Sequence, residues 1–327
     1  MLAGYYERTG PAAEVIRIAE VERPRPGPGE VLVRVHASGV HPSDVKSRAG
    51  ARRPIAFPRV IPHSDGAGVI AEVGEGVEPG RVGQRVWLWN AAFGRPFGTN
   101  AEYVALPSAQ AVPLPEGTSF AAGACLGIPA LTAHRCLFAD GPIAGQDVLV
   151  TGGAGTVGSY AIQMARLAGA RVLATVSSPE KAEHARALGA HQVIDYRRED
   201  VAVAVKAATG GRGVDRIVEV EFGGNLPVTL QILKVNGTVA AYGSMAAPEP
   251  TLPFYPMLFA DQTLRMVLVY LLSPAARAAG IAEVTAWLAA GRLTHPIGGR
   301  FTLADTVAAH ESVESGKRIG TTIIELP

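Results

Sequence analysis

Asp147-Val148-Leu149-Val150-Thr151-Gly152-Gly153-Ala154-Gly155-Thr156-Val157-Gly158 decides the fold. It begins as a short apolar, β-branched run, the composition of a strand buried on both faces of a parallel sheet. Glycines then fall at 153, 155 and 158, a G-x-G-x-x-G. Apolar or small residues follow at 157, 161, 164, 165 and 168, which is helical spacing. Each glycine has a physical role. Gly153 is expected to allow the tight turn out of the strand. Gly155, lacking a Cβ, lets a pyrophosphate approach the backbone. Gly158 lets the helix pack closely. The first helical amides, at Thr156, Val157 and Gly158, and the positive end of the helix dipole face an anion there. An ordinary glycine-rich βα turn is the plain alternative; the strand before and the helix after favour a dinucleotide site.

The strand and helix patterns repeat outward from this stretch. Val148–Thr151, Val172–Val176, Val193–Asp195, Asp215–Val220 and Val239–Tyr242 read as strands. The segments 156–168, 179–188, 199–208 and 224–234 between them read as helices. Such alternation predicts an α/β fold, a Rossmann doubly wound parallel sheet with right-handed crossovers. Leu264-Arg265-Met266-Val267-Leu268-Val269-Tyr270 reads as a further strand at the sheet edge. A long apolar edge invites pairing, so a homodimer through 264–270 is expected.

Residues 1 to about 120 have another character. Val31, Val33 and Val35 alternate on one face of a strand, and Pro24-Arg25-Pro26-Gly27-Pro28-Gly29 before it is turn chemistry. Further short strands between Gly and Pro turns predict a compact, barrel-like β domain. In the tail, Pro274–Ala290 reads as a helix. Thr302-Leu303-Ala304-Asp305 resembles a capping box opening a helix that ends at Gly316, and Gly320–Leu326 reads as a strand. The expected organisation is therefore 1–121 as the first part of a substrate domain, 122–265 as the dinucleotide domain, and 266–327 returning to complete the first.

The bulk numbers narrow the class. The chain has 327 residues, 48% hydrophobic and 18% charged, which is globular composition. A net charge of +1 gives no sign of a nucleic-acid or anionic-membrane partner. Tyr5-Tyr6-Glu7-Arg8 interrupts any signal-like run. Met266–Leu272 is too short to span a bilayer. Cys125 and Cys136 build no disulfide framework. The expectation is a soluble, cytoplasmic protein.

Which dinucleotide is read at the end of the second strand, Ala174-Thr175-Val176-Ser177-Ser178-Pro179-Glu180-Lys181. NAD sites place a carboxylate there to hold the ribose 2′-OH. Here hydroxyls and then a lysine stand instead. Ser177, Ser178 and Lys181 suit a 2′-phosphate through charge-assisted hydrogen bonds, so NADPH is expected. Tyr196 could lie beside the same phosphate. The plain alternatives are that Ser178-Pro179 caps the next helix and that Lys181 is a solvated helix residue.

The two halves together resemble the medium-chain dehydrogenase/reductase superfamily, in particular its zinc-independent quinone oxidoreductase, or zeta-crystallin-like, branch. The resemblance is carried by Gly39-Val40-His41-Pro42-Ser43-Asp44, by Gly66-Ala67-Gly68-Val69-Ile70-Ala71-Glu72-Val73-Gly74 and by Ala101-Glu102-Tyr103-Val104. It continues through Gly152–Gly158, Ser178–Lys181, Asp195-Tyr196-Arg197 and the tail to Gly320. It implies a GroES-like substrate domain and a cleft where cofactor and substrate meet. It also implies that Thr132 and Gly243-Ser244 lie near the nicotinamide end; alone, these would read as a helix residue and a turn.

Departures from the zinc-dependent relatives matter. Those have Cys where His41 stands, Gly-His-Glu where His63-Ser64-Asp65 stands, and Cys near Ile128. Ser64 and Ile128 are not ordinary zinc ligands, and the chain has too few cysteines for a structural zinc lobe, so no metal is expected. His41, His63 and Asp65 could only form an improvised site. Quinone-reductase relatives usually carry Asn at the His41 position and often Tyr at the Lys46 position, which implies a more polar or basic pocket here. Arg48, Arg52, Arg53 and Arg59 form a loose basic cluster nearby, of the kind most often solvated.

Without zinc, nothing strong polarises an alcohol oxygen, whereas quinones and enones are already electrophilic. The expected function is NADPH-dependent hydride transfer to a quinone-type acceptor. His41 is the candidate proton donor and Lys46 the candidate oxyanion stabiliser; structural loop roles are the alternative for both. A 2-alkenal or enoyl C=C reductase, and a non-enzymatic NADPH-binding structural or sensor protein, remain as rivals.

Overall fold

The computed structural model describes residues 1–51 and 54–327. The chain divides into two compact units, Met1–Ile128 with Val284–Pro327, and Pro129–Glu283. The boundaries therefore fall at 128/129 and 283/284 rather than 121/122 and 265/266. Two local reasons account for the later second boundary. Strand Thr263–Met266 pairs into the parallel sheet beside Leu233–Ala241. Helix Pro274–Ala289 follows, and its Gly280 packs closely on Leu131, where a Cβ would lie 3.1 Å from Leu131 Cδ2.

The unit of residues 129–283 is built on a six-stranded parallel sheet. Its spatial order is Gln192–Asp195, Arg171–Val176, Asp147–Val150, Val214–Glu219, Leu233–Ala241, Thr263–Met266. In chain order this is 3-2-1-4-5-6, the doubly wound arrangement, and its order reverses between Asp147–Val150 and Val214–Glu219. Leu149, Leu173, Ile194, Ile217 and Val239 from the strands pack with Val205, Phe222 and Leu226 from the helices. Each such buried side chain contributes about 1.5–3 kcal/mol relative to exposure. Local signals fix the helix starts. Ser178 caps Pro179–Ala187, its Oγ accepting from Lys181 N at 3.3 Å, and Asp200 caps Val201–Ala208 through Val203 N at 3.0 Å.

The last strand is shorter than its sequence suggests. Extended pairing stops at Met266, and Val269–Leu271 forms a 3-10 turn. Val267 N still bonds Ala241 O at 2.8 Å, but the chain then turns away. Continuous apolar composition cannot show where a strand ends, and Met266, Leu268 and Leu271 are exposed.

In the other unit a seven-stranded sheet runs Ile297–Thr302, Thr321–Glu325, Glu30–Val40, Asp65–Val73, Arg85–Leu88, Ala111–Pro113, with Tyr103–Pro107 also pairing Glu30–Val40. All its pairs are antiparallel except Ile297–Thr302 with Thr321–Glu325. Val31, Val33 and Val35 lie in one core cluster with Ile70, Val86, Leu88 and Val104, as their alternation requires. Thr302 and Asp305 bond side chain to side chain at 2.6 Å and open a short 3-10 turn, which leads into helix Thr306–Glu314. Arg48 departs from the expected solvated cluster. It is buried, donates to Gly10 O and pairs with Glu314. Arg59 pairs with Glu7 at 2.8 Å, while Arg52 and Arg53 lie outside the described residues. Among the described residues, no helix is long and apolar enough to cross a membrane.

Candidate active site

The glycine turn sits where the strand order reverses, the position at which open α/β sheets bind ligands. Its geometry corrects one role. The left-handed residue is Gly152, with φ of 64°, not Gly153. Gly153 is glycine for packing: a Cβ would lie 2.9 Å from Ala174 Cβ and 3.1 Å from Ile162 Cδ1. At Gly158 a Cβ would lie 2.4 Å from Gly152 O, so the helix start closes directly on the turn. A Cβ on Gly155 would meet only Gly152 O, at 3.2 Å. Helix Thr156–Leu167 begins after Gly155 with no side-chain cap, and Thr156 and Val157 are half-buried. An uncapped helix start beside a residue without a side chain is a cradle for a pyrophosphate, so the residues present fit the expected dinucleotide.

At the end of the neighbouring strand, Lys181 Nζ donates to Ser177 Oγ at 3.2 Å. The plain reading of Ser178 holds, since its Oγ caps the helix. That bond uses the oxygen as acceptor and leaves the hydroxyl hydrogen to donate. Tyr196 N bonds Val176 O at 3.1 Å, which places Tyr196 beside the same strand end with its side chain 51% exposed. The carboxylate of Asp195 in the next strand is engaged by Arg197 N at 3.1 Å and Arg198 at 3.7 Å. Ser177, Lys181 and Tyr196 thus gather at one edge. Thr132 is buried in helix Leu131–Phe138. Gly243 and Ser244 follow strand Leu233–Ala241 and line a cavity of about 410 Å³ with Tyr242, Pro248, Met266 and Leu268.

In the β-rich unit, His41 immediately precedes helix Pro42–Ala49, which carries Lys46. His41 is 1% exposed and Asp65 fully buried; Nε2 of the one lies 2.7 Å from Oδ2 of the other. The same Oδ2 accepts from Ile128 N at 2.6 Å. Among the described residues, Nδ1 of His41 has no hydrogen-bond partner. Asp44 Oδ2 accepts from His41 N at 2.8 Å, and burial pushes the Asp44 carboxyl up to about 7, with His41 pulling it down and Asp65 adding to the rise. His63 points elsewhere. Its Nδ1 pairs with Ser38 Oγ at 2.9 Å and its Nε2 with His310 Nε2 at 2.9 Å. Among the described residues, no group of three or more His, Cys, Asp or Glu side chains is arranged to hold a metal ion.

Sequence reading missed several of these residues. Glu219 is fully buried at the end of its strand, where its Oε1 accepts from Thr151 Oγ1 at 2.8 Å and from Asn225 Nδ2 at 2.9 Å. Burial holds its carboxyl above the usual range, against the pull of the Glu221 amide, Thr151 and Asn225. The signal available was Glu219-Val220-Glu221, a Glu-x-Glu that starts on the last residue of a strand flanking the glycine turn. His310 had no signal, since its partner lies 247 positions away.

Comparison with known proteins agrees with both units. Residues 27–116 match the model of the alcohol dehydrogenase GroES-like domain, and residues 156–287 that of the zinc-binding dehydrogenases. The quinone oxidoreductase of Rattus norvegicus is 37% identical over 248 residues, 75% of this chain and 73% of that protein. A 2-haloacrylate reductase from a Burkholderia species is 35% identical over 231 residues, 68% of each. The solved structure of a mycobacterial protein complexed with NADPH superposes with a TM-score of 0.88 at 29% identity, covering 99% of this chain and all of that one.

Proposed function

The chain belongs to the quinone oxidoreductase branch of the medium-chain dehydrogenases/reductases, and from that premise we propose that it is an NADPH-dependent, zinc-independent oxidoreductase acting on quinone-type acceptors. The observation that carries this is the open cradle at Gly155 at the start of an uncapped helix. When bound, NADPH supplies the hydride. The amides of Thr156 and Val157 beside the open Gly155 would hold the pyrophosphate, while Gly153 and Gly158 shape the turn by close packing, the Gly153 amide being bonded to Thr175 O at 2.9 Å. Ser177, Ser178, Lys181 and Tyr196 hold the 2′-phosphate. Thr132, Gly243 and Ser244 stand toward the nicotinamide. In the other unit Asp65 fixes the His41 ring through Nε2, so in the protonated ring the Nδ1 proton is the one without another partner and is the one given to the acceptor. Lys46 stabilises the oxygen that gains charge. Quinones and enones need no Lewis acid, which fits a site where Ser64 and Ile128 stand in place of zinc ligands.

A second reading is supported by the likeness to the 2-haloacrylate reductase: the same transfer delivered to an activated C=C bond. We further propose a homodimer joined through edge strand Thr263–Met266, supported by the exposed Met266, Leu268 and Leu271 beside it. The free thiols of Cys125 and Cys136 suit the reducing cytoplasm in which we place it. The test is oxidation of NADPH, with NADH alongside, against a panel of quinones, enals and enones. Turnover with quinones supports the first reading, and turnover confined to C=C substrates the second. Tight NADPH binding without oxidation would mean a binding protein instead.

A further inference from the structure

Loop Gly243–Ala247, which lines the cavity with Gly243 and Ser244, is not held by sheet pairing. Its amides find other acceptors. Met245 N donates to Glu221 Oε2 at 2.7 Å and Ala246 N to Glu221 Oε1 at 3.0 Å. The same Oε1 takes Gly224 N at 3.4 Å and so caps helix Phe222–Ile232. Ser244 Oγ accepts from Gly223 N at 2.9 Å and donates to Ala247 O at 2.5 Å. Backbone bonds extend the seam, from Tyr242 N to Glu219 O at 3.0 Å and from Phe222 N to Gly243 O at 2.9 Å. The fit is close enough that a Cβ on Gly223 would lie 2.1 Å from Ala247 O. Glu221 N in turn donates to Glu219 Oε1 at 2.7 Å, the oxygen that also receives Thr151 Oγ1.

Two carboxylates therefore connect the glycine turn to the loop: Thr151 to Glu219, Glu219 to the Glu221 backbone, and the Glu221 side chain to Met245 and Ala246. We infer that Glu221 is a positioning residue of the dinucleotide site, a carboxylate latch that holds loop Gly243–Ala247 in place at the nicotinamide end. This rests on the reading that this unit binds NADPH. Charge-assisted bonds from convergent amides to one carboxylate hold a loop far more firmly than water would. An amide in its place accepts at one atom only and turns a donor toward the other N–H.

The test compares Glu221→Ala and Glu221→Gln with the wild type, using NADPH and 2′,5′-ADP, which carries only the adenosine end. In both variants NADPH Kd rises about ten-fold, while 2′,5′-ADP Kd stays within about two-fold, roughly the scatter of such comparisons. In nucleotide-free Glu221→Ala, the amides of Met245 and Ala246 exchange with deuterium faster, and those of strand Asp147–Val150 do not. A parallel loss of 2′,5′-ADP affinity would reduce Glu221 to a fold residue and overturn the inference. So would unchanged NADPH affinity or unchanged exchange. Wild-type protein that fails to bind NADPH would remove the underlying reading, and the latch's role with it.

Discussion

Nε2 of His41 and Oδ2 of Asp65 lie 2.7 Å apart, with both side chains sealed from solvent. A buried carboxylate that loses its partner is strongly destabilising, so His41→Ala confounds folding with chemistry. His41→Gln separates them. The Gln amide can still donate to Asp65 but cannot give up a proton at neutral pH. The expected result is a folded protein whose kcat falls about 100-fold or more, the usual contribution of a general acid. Lys46→Ala lowers kcat without altering the pH profile. If His41→Gln and Lys46→Ala both keep wild-type kcat, neither side chain has a chemical role.

Lys181 is held at 3.2 Å from Ser177 Oγ, beside a strand end without a carboxylate. A charge-assisted hydrogen bond to a phosphate is worth about 1.5–3 kcal/mol. Lys181→Ala is therefore expected to raise the KM for NADPH about ten-fold or more, from that same range, and to leave the KM for NADH nearly unchanged. Parallel kinetics with both nucleotides make the measurement. An equal change in both would remove Lys181 from the 2′-phosphate site.

These residues differ in how far the sequence alone discloses them. The parallel sheet is legible because each βα unit declares itself within about 30 residues of local periodicity. The Ser178 cap is legible because Ser-Pro at a helix start is a local signal. Roles set by tertiary packing are not. G-x-G-x-x-G does not say that Gly152, outside the motif, takes the left-handed turn, or that Gly153 is small because Ala174 and Ile162 press on it. The end of the edge strand was hidden because an apolar run reads alike whether its side chains are buried or, as at Met266 and Leu271, exposed. His63 looked like a metal-ligand candidate beside Asp65. Its backbone takes a φ of 76°, and its ring is held by Ser38 and His310.

The edge strand carries a prediction about assembly. Among the described residues Thr263–Met266 pairs only with Leu233–Ala241, and the aromatic helix Phe254–Phe259 nearby in the chain exposes Phe254, Tyr255 and Phe259. Light scattering at micromolar concentration should give a mass twice the 34.0 kDa of one chain. Met266→Lys with Leu268→Lys should give a single chain's mass with unchanged far-UV circular dichroism, because both side chains are already exposed. A wild-type monomer would remove the proposed interface.

His63 and His310 share one N···N hydrogen bond of 2.9 Å, which needs one ring to donate and the other to accept. Both rings are fully buried. Burial, then the nearby His310 and His41, hold His63 well below its ordinary value; burial, then Arg48, brings His310 down to about 3. The folded state therefore keeps the pair neutral at pH values where the unfolded chain, with histidines near 6.5, takes up protons. Stability rises with pH wherever the unfolded state binds more protons. The pair's contribution is thus complete above about pH 7 and declines as pH falls from about 6.5 toward 3. Asp44, raised to about 7, acts with the opposite sign, since its ionisation on unfolding weakens the fold as pH rises toward that value. The wild-type curve alone mixes the two, whereas His310→Gln isolates the pair because Asp44 is common to both proteins. Denaturant midpoints measured between pH 4.5 and 8 should show a steeper loss on the acid side for the wild type than for His310→Gln, the variant being less stable at pH 8 and closing the gap at pH 4.5. Parallel curves across that range would mean that the pair titrates alike in the folded and unfolded chain.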